Sequence, residues 1–341
     1  MLRIYFREAE RLVLRDKSEE TVTENTATEV TTAAEAVAPV LWYDLVSPTP
    51  AESRHVEQAL GLEIPTRDEM EEIELSARLY QEDGAEFMTL TALTNLDGDT
   101  PAKTPVTFIL KGETLVTVRY ADPKPFLAFV HRALRVNAQA YVCGEEVMLG
   151  IVESIVDRMA DVLERIGNDI DGISREVFRG KATPSTKKTK DLQSLIEQLG
   201  QKGDFLGGVR ESLVSISRLV AYHAALESPQ RRPSKEVRQR VKMLQRDAVS
   251  LGDHATFLSG KVNFLLDATL GLINLEQNQI IKIFTVASVV FLPPTLVASV
   301  YGMNFNLMPE LQWRLGYPWA ILLMLLSAAL PFLYFKRRGW L

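Results

Sequence analysis

The sequence is poor in the residues that build most catalytic and redox centres. Cysteine occurs once, at Cys143, which excludes an internal disulfide and any multi-cysteine zinc or iron–sulfur site. The four histidines, His55, His131, His223 and His254, are far apart, and none has a ligand partner at helical or hairpin spacing. That argues against a classical zinc enzyme. No glycine-rich phosphate loop is present. Ser259-Gly260-Lys261 fails the P-loop frame, because Ala255 stands where its first glycine should be and Val262 follows the lysine. Neither charge sign dominates: 38 Lys and Arg face 44 Asp and Glu, a net charge of −6, so the basic face of a nucleic-acid binder is missing. The opening MLRIYFREAE has no apolar core, and no signal peptide is expected from it.

Apolar residues, by contrast, are plentiful. They make up 46% of a chain that is 24% charged, which excludes a disordered polymer. The excess sits at the end. Ile283 to Tyr301 is 19 residues without a charge, and Trp319 to Phe335 is 17 more. At about 1.5 Å per residue these reach roughly 28 and 25 Å, against a hydrocarbon thickness of about 30 Å. Two buried core helices would also be apolar, but their length favours membrane spans over 281–301 and 319–335.

Upstream, the period is that of strands. LRIYF, RLVLR, VLWYDLV (Val40–Val46), ARLYQ (Ala77–Gln81), EFMTLTALTNL (Glu86–Leu96), TPVTFIL (Thr104–Leu110) and TLVTVRY (Thr114–Tyr120) all read as β. The last two form a hairpin around Gly112. Two short helices lie between, with Thr49 and Thr66 as N-caps. The result is an α/β domain over 1–125, interrupted at 18–38 by a Thr/Glu/Ala-rich insert without aromatics.

A helical period takes over from about Phe126 and defines a helical region, 126–280. One seam runs from Met148 to Val177. A second runs from Leu192 to Val220 and is broken only by Lys202. A third, from Val241 to Leu272, alternates steps of three and four, which is a heptad seam. No proline occurs between Pro233 and Pro293, a stretch of 59 residues, or roughly 89 Å if helical throughout. The spacing predicts a stalk helix over about 235–300 that continues into the first span. A plain coiled-coil dimer would show the same periodicity. The basic tail 336–341, with Lys336, Arg337 and Arg338, and Lys282 before the first span place both termini in the cytoplasm and the 302–318 loop outside.

That loop opens Tyr301-Gly302-Met303-Asn304 and continues through MPEL, and the chain ends in FKRRGWL. YGMN at the end of the penultimate span, MPEL after it, and a basic tail before a terminal WL resemble the CorA family of magnesium/cobalt transport proteins. The similarity in element order covers the whole chain. It implies an α+β cytosolic domain, a long helical stalk and two C-terminal transmembrane helices, assembled as a homopentameric channel of the bacterial inner membrane. It also implies influx of Mg²⁺, with Co²⁺ and Ni²⁺, down the electrochemical gradient, and no enzyme activity, organic cofactor or nucleic-acid partner. The physics agrees with the motif. Mg²⁺ sheds its six waters reluctantly, and the Asn304 amide offers an acceptor to those waters without a full charge.

Pro293 and Pro294 interrupt the backbone bonding of the first span, a defect lipid tolerates only where protein or water compensates. This span is therefore the pore-lining one. Gly302, Met303 and Asn304 are expected at the pore mouth, with Gly302 giving a tight backbone reversal. Asn278, Ile281, Phe284, Leu292, Thr295 and Ser299 are expected along the pore; the three apolar ones form a dewetting barrier. The family is closed by cytosolic Mg²⁺ bound between subunits. Candidate carboxylates for that regulatory ion are Asp253 and Asp247 on the stalk and Glu82 and Asp83 on a domain loop. The alternative is a proton-coupled zinc transporter of the ZntB type, against which the intact YGMN and MPEL count. A membrane-tethered scaffold would need neither the prolines nor the polar stripe.

Overall fold

A computed structural model describes residues 1–8, 11–15, 39–98, 101–135, 140–178, 185–226, 234–304 and 308–340. The insert expected at 18–38 lies outside them. The chain divides into two compact units, Met1–Phe178 with Glu197–Phe264, and Arg179–Ile196 with Leu265–Leu341.

The first unit is built on one seven-stranded sheet of β1 (Leu2–Glu8), β2 (Arg11–Arg15), β3 (Val40–Val46), β4 (Leu79–Glu82), β5 (Ala85–Thr94), β6 (Ala102–Lys111) and β7 (Thr114–Arg119), in the order β2-β1-β3-β7-β6-β5-β4. β3 and β7 pair in parallel; the other neighbours are antiparallel. β3, β5 and β7 are buried along almost their whole length, because both faces of the sheet are covered. On one face Tyr43, Leu45, Ile109, Val116 and Val118 form a core with Val56 of α1 (Pro50–Leu60) and Met70 of α2 (Arg67–Glu71). On the other, Trp42 meets Phe129 of α4 (Lys124–Ala133) edge-on. A Cβ on Gly150 of α5 (Gly144–Phe178) would stand 2.5 Å from the Phe129 ring, so only glycine lets α5 come this close.

Thr49 and Thr66 cap α1 and α2 as expected, each in a reciprocal capping box with Glu52 or Glu69. The Glu52 carboxylate, opposed by partial burial, is held down at about 2 by bonds from the Thr49 backbone and hydroxyl and from the chain's terminal ammonium. The expected strand 77–81 begins later. Residues Leu75–Arg78 form one helical turn, α3, and Arg78 is tied to the Glu72 carbonyl and the Thr91 hydroxyl. The β4–β5 turn places Asp83 at φ 50° and Gly84 at φ 73°, the two positive values that a type I′ hairpin requires.

A buried ion pair crosses the parallel strands. Arg119 Nε and Nη2 each donate to Asp44 at 2.9 Å, Thr117 donates to the same carboxylate at 2.8 Å, and the Trp42 indole donates to Thr117 at 2.9 Å. The guanidinium lies over the Phe126 ring at 4.6 Å.

α5, α6 (Ser185–Ala225) and α7 (Lys235–Tyr301) carry the three expected seams. Lys202, the break in the second, donates to Asp169 of α5 at 2.6 Å, so the gap is an interhelical ion pair. Arg240 of α7 grips Glu153 of α5 with two bonds of 3.0 and 2.9 Å. His223 of α6 sits buried between Glu86 of β5 and Glu145 of α5, at 3.0 and 3.1 Å.

The second unit contains the later part of α7, a 3₁₀ turn (Pro309–Gln312) and α8 (Gly316–Arg337). α7 is one uninterrupted helix of 67 residues that keeps Pro293 and Pro294 in its interior. Within it and α8 lie two segments long and apolar enough to cross a membrane.

Candidate pore and cation path

Along α7 from Leu265 onward, burial inside the chain is scarce. Val286 is buried, while Phe284 is 69% and Leu292 66% exposed. The small amount of shielding is ordered. Val286, Val290, Pro293, Pro294, Val297 and Tyr301 are buried or intermediate, and at about 100° per residue they share a sector roughly 100° wide. On α8 the less exposed residues, Ala320, Met324, Ser327, Ala328, Pro331 and Phe335, also recur at threes and fours. Each helix is therefore shielded along one stripe and bare around the rest.

The expected pore residues fall on the bare side. Asn278, Ile281, Phe284, Leu292, Thr295 and Ser299 are all exposed and occupy an arc of about 120° centred opposite the shielded stripe. The Thr295 hydroxyl donates to the Phe291 carbonyl at 2.7 Å. With its proton held there, its oxygen presents lone pairs outward. A hydrated cation turns water hydrogens outward, so acceptors are what such a path requires. Each proline also leaves a carbonyl one turn back, at Val289 and Val290, without its helical donor.

The helix ends at the motif, by a different device from the one expected. Gly302 does not adopt positive φ. Its N–H bonds Ala298 at 2.9 Å and that of Met303 bonds Val300 at 3.3 Å, tightening the last turn. A Cβ on Gly302 would lie 3.1 Å from the Ala298 carbonyl. Glycine serves close approach here, not chain reversal. Met303 and Asn304 follow, both exposed; residues 305–307 lie outside the described set.

The regulatory candidates are not assembled within one chain. Asp247 and Asp253 are exposed on α7, and Glu82 and Asp83 are exposed at the β4–β5 turn. Among the described residues no group of three His, Cys, Asp or Glu side chains is placed to hold a metal. Asp247 does lie near other acids. The Asp157 carboxyl is pushed up, first by burial and then by Glu153, Asp161 and Asp247, against the pull of Arg132.

Comparison with known proteins settles the family. The model of the CorA-like Mg²⁺ transporter proteins matches residues 38–337. The chain belongs to the CorA family. The chain is 38% identical over 309 residues to the magnesium transport protein CorA of Yersinia pseudotuberculosis, covering 89% of this chain and 93% of that one. In fold it is similar to the complete CorA magnesium transporter of Methanocaldococcus jannaschii, with a TM-score of 0.75, 17% identity and coverage of 100% and 99%. It is also similar to the cytoplasmic domain of ZntB from Vibrio parahaemolyticus, with a TM-score of 0.54, 11% identity and coverage of 80% and 97%.

Proposed function

We propose that this CorA-family chain is one subunit of a homo-oligomeric Mg²⁺ channel, five-fold as in the resemblance, set in a bacterial inner membrane with both termini cytoplasmic. The observation that carries the reading is the bare arc of α7, which ends at Gly302-Met303-Asn304 and lies opposite the stripe shielded within the chain. Two spans enclose no pore, so copies of that arc must face a common axis. Asn304 and its neighbours then receive the hydrated ion at the mouth. Asn278, Thr295 and Ser299 accept hydrogen bonds from its waters, and rings of Ile281, Phe284 and Leu292 close the path by dewetting. Co²⁺ and Ni²⁺, also octahedral hexahydrates, follow Mg²⁺ through the same acceptors.

Closure by internal Mg²⁺ is assigned to carboxylates brought together between subunits, with Asp253 and Asp247 of one copy and Glu82 and Asp83 of another as the candidates. A divalent ion there offsets repulsion between acidic domains, and α7 carries the change from 253 to 281 and 284 along one helix. The likeness of the soluble fold to ZntB supports a second reading, proton-coupled Zn²⁺ transport. Ion uptake into proteoliposomes separates the two. Mg²⁺, Co²⁺ and Ni²⁺ entry that follows the membrane potential and ignores a pH gradient supports the channel. Zn²⁺ entry that requires the pH gradient supports the second reading.

A further inference from the structure

The C-terminal FKRRGWL folds into a defined helix stop. The Trp340 N–H bonds the Phe335 carbonyl at 3.1 Å, the Gly339 N–H bonds Lys336 at 3.2 Å, and Gly339 stands at φ 70°. This is the paired-bond C-cap in which glycine takes the left-handed position. It swings the Trp340 ring back to 5.2 Å from Phe335. There Lys282 of α7 sits over the indole at 5.8 Å, and Arg338 sits over Tyr334 at 5.5 Å.

Lys282 and the tail cations are thereby gathered at the end of the unit where the uncharged run of α7 begins and that of α8 stops. Lys282, Lys336, Arg337 and Arg338 are all exposed. Among the described residues none of these four cations takes part in an ion pair. Lys282 and Arg338 thus flank this aromatic corner, with Lys336 and Arg337 in the last turn of the same helix end.

We propose that this corner binds the headgroup of an anionic phospholipid. Lys282 and Arg338, with Lys336 and Arg337 beside them, donate to its phosphodiester oxygens, and Trp340 sits at the level where headgroup meets acyl chain. The aromatic floor and the adjoining apolar helices fit a ligand that arrives with its chains, which a free phosphate lacks. The bound headgroup bridges the entry of α7 to the exit of α8. The inference rests on the reading that both helices span a membrane.

The test uses the full chain. Its incorporation into phosphatidylcholine liposomes is checked by flotation, and its binding of phosphatidylglycerol against phosphatidylcholine is then titrated in detergent by native mass spectrometry. Phosphatidylglycerol should be retained preferentially, and more weakly as salt rises. The Lys282→Gln/Arg338→Gln variant should lose that retention by about thirtyfold, whereas Lys282→Arg/Arg338→Lys should keep it. Equal retention of the two lipids, indifference to the Gln substitutions, or full displacement by soluble glycerophosphate would each overturn the site. Failure to float at all would overturn the membrane reading beneath it, whereas flotation without lipid preference removes only this inference.

Discussion

The two ends of α7 solve opposite problems with one continuous helix. Between Val237 and Leu265 it buries a narrow seam, with Val241, Leu244, Ala248, Ala255, Leu258 and Val262 all under 7% exposed, and sets charged and polar residues, with Met243, Val249, Phe257 and Phe264 among them, around the rest. Between Ile283 and Val300 it carries no charge, is mostly apolar, and almost nothing is buried within the chain. In water a helix needs one dry stripe, and a wider one invites aggregation. In lipid the apolar surface is the solvated one, and it is the polar residue or broken hydrogen bond that demands a partner. The first stretch is thus read by asking which apolar residues are hidden, and the second by asking where the polar ones and the prolines point.

This contrast predicts that stability and transport respond to different substitutions. Asn304→Ala should have the largest functional effect. Its side chain makes no described contact, so assembly by gel filtration stays normal while Mg²⁺ uptake falls to the leak of empty liposomes. Near-normal uptake would remove the pore-mouth role. Asp44→Ala should do the reverse. It removes the two-bond partner of the buried Arg119 and leaves it only the Asp122 carboxylate and the Ala121 carbonyl at Nη1, a loss of about 3 kcal/mol, seen as a lower denaturant midpoint of the first unit. Glu52→Gln is a smaller change that depends on pH. The folded-state carboxyl is depressed to about 2, so its contribution is complete above the ordinary 4.5 and fades as pH falls towards 2. A stability gap of about 1 kcal/mol at pH 7 should narrow below pH 4.5 and close near pH 2. Lys202→Leu should be the mildest, raising stability by about 1 kcal/mol as the α6 seam becomes continuous. A loss of that size would mean that the Lys202–Asp169 bond outweighs the apolar contact.

Much of this division was legible in the sequence, and for stated reasons. Seams of threes and fours, the strand runs and the caps at Thr49 and Thr66 each depend on neighbours close in the chain. What escaped depends on partners far away. Nothing local marks Asp44 as the acceptor of Arg119, 75 positions on, or His223 as lodged between Glu86 and Glu145. Lys202 looked like a flaw in a seam until Asp169 stood opposite. Ala77 and Arg78 carry a strand-like pattern, but the distant Thr91 hydroxyl holds Arg78 in a helical turn. At Gly302 the expected chain reversal is replaced by a tightened last turn, because φ cannot be read from a glycine's presence. The stop at Gly339-Trp340 did carry a local signal, glycine followed by an aromatic after a basic turn, and sequence reasoning passed over it.

The central claim is that the arc of α7 through Thr295 and Ser299 faces water and the stripe through Val290 and Val297 does not. The chain suits the experiment, since Cys143 is its one cysteine and burial pushes that thiol up, away from the reactive thiolate. On a Cys143→Ser background, single cysteines at 290, 295, 297 and 299 are exposed to a charged, water-soluble thiol reagent while Mg²⁺ entry into proteoliposomes is followed. The account predicts rapid block at 295 and 299 and none at 290 and 297. Equal reaction at all four, or block confined to 290 and 297, would contradict it.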